Sequence, residues 1–487
     1  MKRLLLPLIL FASFAATAQV KEKKIRKYGE TIKVKDLKKK LSVIASAEME
    51  GRGTATEGQR KAAAYIIGQF KDLDLLPGNG NSYEQVFNVY QDSVISHSFV
   101  ANGKTLDIGK DYNFTVTSVP SGSFAINNIY FAGTGSLDTT NLPVAGKWVM
   151  IDESGFAAMR LKVAQLRRRE AKGIIVVSKS FPRRTPFSSK SGLYKNANAE
   201  FPYITVSYNT AAQMLNKSGL DSASLVSLAK ETYPTNTSIN IAKQKITLES
   251  TNVLGLLPGT DRKDEYVFLT AHYDHIGKTA DGVINYGADD DGSGTTAIIE
   301  IAEAFAKAKK KGHGPRRSIV FMAVSGEEYG LWGSEFYSDN PIFPLEKTTV
   351  DLNIDMIGRI DPKYTGDSLN YVYVIGDDKL SSDLRPITDS VNNKYVKMEL
   401  DRRFTDVSDP NRYYYRSDHY NFARKGVPII FYFNGTHADY HRPSDTIEKI
   451  NFNLMEKRTK LVFYTAWEMA NRDQMLKRDI KLVIPSR

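Results

Sequence analysis

Residues 269–294, LTAHYDHIGKTADGVINYGADDDGSG, decide how this chain folds. An apolar run, Tyr266-Val267-Phe268-Leu269, leads into His272 and Asp274, two residues apart. A glycine-punctuated loop follows, then Asp289-Asp290-Asp291, Gly-Ser-Gly and a helical pattern. The stretch therefore passes from strand to helix, and imidazole and carboxylate groups collect at the junction. That placement predicts a metal site whose remaining ligands come from elsewhere in the chain.

From about residue 246 onward, strands and helices alternate. VFLTAH precedes the helix TTAIIEIAEAFAKAKK, and RSIVFMAV precedes a Glu-rich turn and a short helix. TTVDLNIDMIG leads through a helix near Leu380 to Asn392 into VPIIFYFNG, and a last helix is expected near Asn453 to Asn471. This alternation predicts an α/β fold with a mixed, mainly parallel sheet and helices on both faces. Ligands of such sheets bind at the carboxyl ends of the strands. Those ends carry His272 with Asp274, then Glu327-Glu328, then Asp355, and finally His437 and His441. A single acid at a helix start is commonly a cap, and a lone His after a strand is commonly structural. Four strand ends carrying acids or imidazoles without Lys or Arg beside them are harder to explain, because unpaired buried carboxylates are costly. A divalent cation relieves that repulsion, and two His with several carboxylates suit zinc better than manganese or cobalt.

Upstream, GQRKAAAYIIGQFKDLDL places Ala63, Ile66, Ile67, Phe70 and Leu73 at helical spacing over 58–75, stopped by Pro77-Gly78. Residues 21–40 are charged and read as a linker into a first helix. Between 97 and 243 short β-rich runs dominate (114–119, 125–131, 147–151, 173–177, 203–206), with one basic helix near Ala157 to Lys172. No catalytic constellation falls there, so the segment reads as an inserted β-rich domain. At 487 residues, two domains are expected.

Lys2-Arg3, the apolar LLLPLILFASF and Ala16-Thr17-Ala18 read as a secretory signal over 1–18, shorter than a membrane-spanning helix requires. Export to a periplasm or exterior is the expectation, with no membrane span. The absence of cysteine excludes disulfides, thiolate catalysis and Cys-ligated zinc. The formal charge of +11 is spread over scattered basic runs without an aromatic-interleaved stripe, so no nucleic-acid partner is expected.

Glu327 and Glu328 bear on mechanism. Adjacent side chains at a strand end diverge, so one can bind metal while the other faces substrate and takes a proton from water. At this point the motifs AHYDHIG, GADDDGSG, SGEEYGLWGSEFY, NIDMIGR, RSDHYNF and HRPSDT, in this order, resemble the family-28 zinc metallopeptidases, which include secreted di-zinc aminopeptidases. The resemblance covers roughly 40–95 and 246–475, and the middle segment resembles the protease-associated domain inserted in many members. After the signal at 1–18, this gives a peptidase domain from 19–96 and 244–487 and an insert at 97–243. The resemblance further implies two zinc ions bridged by Asp290, one completed by His272 and Asp355, the other by Glu328 and His441. Glu327 would then be the general base, and Asp274 the carboxylate orienting His272. Tyr414, four residues before Asp418, aligns with a tyrosine that stabilises the oxyanion in some members; packing within Tyr413-Tyr414-Tyr415 is the alternative. His275 does not match the ligand motif, His437 is a pocket candidate, and His419 is expected behind the ligands. Arg359 and Arg416 either hold a substrate carboxylate or pair with surplus acids, the latter being favoured.

The implied function is a zinc exopeptidase acting on peptides or proteins, foremost an aminopeptidase. A carboxypeptidase or dipeptidase of the same fold is the alternative. A single-zinc glutaminyl cyclase or a metal-free receptor-like binding protein fits the full ligand set less well.

Overall fold

The computed structural model describes residues 22–134, 142–153, 156–194, 200–406 and 408–483. The expected signal segment, 1–18, lies outside the described residues. Among those described, no helix is long and apolar enough to cross a membrane. The chain divides into two compact units, one built from 1–87 and 249–487, the other from 88–248.

The first unit is organised around strands that are apolar on both sides. β1 (Thr232–Leu257) enters it with its second half, followed by β2 (Arg262–His272), β3 (Arg317–Val324), β4 (Thr348–Ile354), β5 (Tyr371–Ile375), β6 (Glu399–Asp401) and β7 (Ile429–Phe433). Their order in the sheet is β6-β5-β7-β4-β2-β3-β1. The central four, β7, β4, β2 and β3, are mutually parallel, whereas β1 and β5 run antiparallel to their neighbours in that group. Val267, Leu269 and Ala271 of β2 enter one core and Phe268 the other. The same alternation places Ile319, Phe321 and Ala323 of β3 opposite Val320, Met322 and Val324. Burial on both faces is why these strands read as continuous apolar runs.

Helices α1 (Val34–Ile44), α2 (Glu57–Asp72), α3 (Gly294–Lys310), α5 (Leu384–Tyr395) and α7 (Phe452–Asn471) line the first core, while α4 (Trp332–Asp339) and α6 (His419–Ala423) line the second. α3 is apolar almost all round for its first turns and ends in Lys307, Lys309 and Lys310, where cations oppose the helix dipole favourably. Inside, Lys40 pairs with Glu300 and, at 2.9 Å, with Glu303.

Two expectations change here. The charged segment 21–40 is not a linker: residues 22–29 are helical, and Ile25, Tyr28 and Ile32 are buried in the first core. Their three- and four-residue spacing forms an apolar stripe between the lysines. The helix of 58–75 ends at Asp72, short of Pro77, because Asp74 takes a left-handed backbone and Leu76–Pro77 pairs with β1.

The second unit holds parallel neighbours Gly122–Phe131, Trp148–Asp152, Gly173–Ser178 and Tyr203–Ser207, with Tyr112–Phe114 antiparallel at one side. Ile129, Phe131, Met150, Ile175 and Ile204 form one core; Val149, Ile151, Ile174 and Val176 pack with Leu166 of the helix Phe156–Arg168 in another. Its bounds run wider than 97–243 because the long strands Glu84–Ala101 and Thr232–Leu257 carry the ordered chain past those points.

Candidate metal centre

Because β2, β3, β4 and β7 are parallel, their carboxyl ends share one edge, and the acids and imidazoles that follow them converge. At the end of β2, His272 Nδ1 donates to the Asp274 backbone carbonyl at 3.0 Å. That bond leaves Nε2 facing the cluster, 3.2 Å from Asp290 Oδ1 and 3.6 Å from Asp355 Oδ1. Asp274 thus orients His272 through its carbonyl rather than its carboxylate, whose nearer oxygen is 3.7 Å away. The carboxylate instead accepts from Thr54 Oγ1 and from the backbone N–H of Glu327, tying two of the motifs together.

Asp290 occupies the middle. Its Oδ1 faces His272, while its Oδ2 lies 3.1 Å from His441 Nε2 and 3.8 Å from His275 Nδ1. The loop that presents it is held from behind: Asp445 Oδ2 accepts from the backbone N–H groups of Asp289 and Asp290. Gly287 adopts φ +55°, and a Cβ there would collide with the Asp290 carbonyl oxygen and the His275 ring. Asp291 Oδ1 accepts from the N–H of Gly294 and Met356, and Asp289 Oδ1 from Gly358.

After β3, Gly326 at φ +83° opens the turn Glu327–Tyr329, and the two glutamates diverge as expected of neighbours. Glu328 places Oε1 2.6 Å from His275 Nδ1 and Oε2 2.9 Å from His441 Nε2. Glu327 instead lines a pocket with Asp290 and Asp355, walled by Met356, Tyr413, Phe431, Phe433, Thr436, Tyr440 and Arg416. At the end of β4, Ser417 Oγ donates to Asp355 Oδ2 at 2.6 Å, leaving Oδ1 for the cluster.

Electrostatics show what this arrangement lacks. Among the described residues, Asp290, Asp291, Asp355, Glu327 and Glu328 have no Lys or Arg ion partner. Burial lifts the Glu327 carboxyl well above the usual range; His272 opposes the lift, and Glu328 and Asp355 add to it. Burial, then Asp355, also lifts Asp291. Burial disfavours the His441 imidazolium, but Asp290 and Glu328 outweigh it and raise its pKa to about 10. The cluster is over-charged without a cation.

Residues 252–466 match the family model "Peptidase family M28". Over this segment the chain is similar to that family. A probable leucine aminopeptidase of Trichophyton verrucosum is 30% identical over 227 residues, spanning 45% of this chain and 57% of that protein. The chain spans about half the length of the curated relatives it matches. In fold it is similar to an aminopeptidase from Aneurinibacillus sp. strain AM-1, with a TM-score of 0.60 at 18% identity, covering 95% of this chain and 98% of the other. A zinc aminopeptidase from Bacillus subtilis gives 0.57 at 19% identity, with 92% and 99% covered.

The donor set of this site fits divalent cations. His272, Asp291 and Asp355 place one ligand atom each within 4.8 Å of one another, and so do His275, Asp290 and Glu328. Among the described residues, His272 Nε2, both nitrogens of His275, Asp290 Oδ2, Asp291 Oδ2 and Glu328 Oε1 are buried without a hydrogen-bond partner. Buried polar atoms left so are rare, and ions held by these two groups would account for most of them.

The cluster thus brings together His272, Asp290, Glu327, Glu328, Asp355 and His441, with Asp274 behind. It adds His275, which did not match the ligand motif. Tyr414 is not brought there. The tight turn Tyr413–Tyr415 points Tyr413 into the pocket and seats Tyr414 among Tyr415, His419 and Tyr420. Tyr440 takes the place beside the carboxylates, its ring stacked on His441 at 3.9 Å. Burial, with Asp290, Glu327 and Glu328 nearby, pushes its phenol pKa up, so the hydroxyl stays a donor. His437 bonds Asp289 at 3.2 Å, and His419 stacks on Phe431 with burial depressing its pKa to about 3. Two supports were missed in sequence. Fully buried Arg52 donates to the carbonyls of Tyr273, Tyr286, Gly287 and Ile44, clamping both ends of the ligand loop. Its only sequence signal is an arginine between Gly51 and Gly53, which turns often share. Ser417 lay unremarked inside RSDHYNF.

Proposed function

We propose that this chain is a two-zinc exopeptidase that releases N-terminal residues from peptides. The observation that carries this reading is the division of Asp290: Oδ1 lies 3.2 Å from His272, which also neighbours Asp355, and Oδ2 lies 3.1 Å from His441, which also neighbours Glu328, so the carboxylate could serve two ions. His272, Asp290 and Asp355 would hold one ion, and Asp290, Glu328 and His441 the other, with His275 in reach of the second from the buried side. When bound, the ions supply Lewis acidity, polarising the scissile carbonyl and making water a better nucleophile near neutral pH. Glu327, outside both sets, accepts the water proton at its carboxylate and passes it to the leaving nitrogen. Its neighbourhood of burial and negative charge favours holding that proton between the two transfers. The Tyr440 hydroxyl donates to the developing oxyanion. Tyr413, Phe431, Phe433 and Met356 exclude water around the bound side chain and strengthen these interactions.

Zinc aminopeptidases among the fold neighbours support the metal, and the leucine aminopeptidase relative supports the reaction class. The signal-like 1–18 segment supports export, and the β-rich unit 88–248 supports a protease-associated insert whose role is separate from the chemistry. The deciding experiment is hydrolysis of free and terminally blocked peptides by zinc-loaded and phenanthroline-treated protein. Cleavage should demand a free N-terminus and zinc. Cleavage demanding a free C-terminus would overturn the aminopeptidase assignment, and activity persisting without metal would overturn the mechanism.

A further inference from the structure

Two arginines lie near the site, Arg416 in the pocket wall and Arg359 beside Asp445, and they are differently engaged. Arg359 is neutralised: its guanidinium lies 2.9 Å from Asp439 and 3.7 Å from Asp445. Arg416 has no carboxylate within ion-pair distance among the described residues. Its guanidinium lies over the Tyr413 ring, 5.0 Å from the centroid, and Nη2 donates to the Tyr440 hydroxyl at 3.4 Å. Those contacts use a π face and one N–H, so most of its five donors are unspent. The side chain is nonetheless placed: Tyr413 is buried beneath it, and Tyr440 stacks on His441, one residue along.

The rest of the pocket makes this cation conspicuous. Asp290, Glu327 and Asp355 face the same space, and Phe431 and Phe433 close it with apolar surface. An apolar substrate side chain would be served by those rings alone, and a cationic one would meet Arg416. A planar guanidinium with free N–H pairs, set in an aromatic wall, matches a carboxylate, which it can bind through two parallel hydrogen bonds.

We infer that Arg416 receives a carboxylate on the substrate residue that fills this pocket, giving the enzyme a preference for peptides that place a carboxylate there. The inference rests on the peptidase reading above. The carboxylate has two sources: the side chain of a terminal Glu or Asp, or the free C-terminus of a very short peptide.

The test compares wild type and Arg416→Met, both zinc-loaded and full length, on two matched pairs: Glu-Ala-Ala-amide against Leu-Ala-Ala-amide, and Leu-Ala against Leu-Ala-amide. The ratio of kcat/KM, carboxylate-bearing over neutral, should fall by about ten-fold or more in the variant, the effect of losing a charge-assisted pair. A fall in the first pair assigns the side chain, and a fall in the second the C-terminus. Ratios that change by less than about three-fold in both pairs overturn the inference. If wild type hydrolyses none of these peptides, the peptidase reading fails separately. Calorimetric titration of the same pairs then decides Arg416: a ten-fold loss of preferential carboxylate binding supports it, and unchanged affinities overturn it.

Discussion

At the scale of single residues, the proposal gives the two glutamates after β3 most of the chemistry, and their separation by direction makes them separable by mutation. Glu327→Gln removes the proton acceptor while Glu328 still faces His441 and His275. Zinc content should persist while kcat falls by about 10²–10⁴-fold; a variant with near-native kcat would move the base elsewhere. His441→Ala should lower the zinc content from two ions per chain to one, measured by elemental analysis. Retention of both ions would promote His275 to a ligand. The candidate ligands could be named because each belongs to a short motif at a strand end. Tyr440 could not, and Arg416 was expected to pair with an acid, because a side chain's direction out of a turn is set by the turn's backbone. The run Tyr413-Tyr414-Tyr415 shows the difficulty: three identical residues face different surroundings through backbone torsion alone.

At the scale of elements, the loop from β2 to α3 has to deliver His272, Asp290 and the start of a helix within a few ångströms of one another. Gly287 and Arg52 make this possible, the first by allowing a backbone approach and the second by donating to four backbone carbonyls. Gly287→Ala should destabilise the fold by roughly 1–3 kcal/mol, since a strained φ and a collision with backbone are combined, and should reduce zinc content; native melting and full zinc would mean the loop can relax. Apolar strands buried on both faces were readable as such, because parallel strands under helices need no polar face. The helical segment 22–29 was obscured by its lysines: its stripe of Ile25, Tyr28 and Ile32 is narrow, and long charged side chains can extend past a buried stripe into water.

At the scale of the whole molecule, metal and fold are linked. Ions that bind only the folded state stabilise it by about 2.7 kcal/mol per site at a hundred-fold excess over Kd, so chelation should lower Tm, and zinc should restore it; an unchanged Tm would place the sites outside the folded core. A second linkage concerns Asp418, whose Oδ1 accepts from Ser334 while Oδ2 has no partner. Burial raises its pKa to about 7, well above an unfolded carboxyl. The folded state therefore holds this proton more tightly, and the stability it confers is full below about pH 4 and lost as pH rises through 7. Asp418→Asn should be more stable than wild type at pH 8 by ~1–3 kcal/mol in metal-free protein, with the gap closing toward pH 4. Urea midpoints across that range check it, and a pH-independent gap would mean the carboxyl is not the cause.

By itself, the sequence determined the alternation of strand and helix, the mainly parallel sheet, and the identity of the acids and imidazoles that could meet at its edge. These follow from periodicity and from the rule that parallel strands end together. Only the tertiary structure decided which oxygen of Asp290 faces which histidine, that His275 joins the cluster, that Tyr440 rather than Tyr414 stands beside the carboxylates, and that Arg359 is paired while Arg416 is not among the described residues. Those outcomes depend on distances of a few ångströms between residues far apart in the chain, and local patterns hold no record of them.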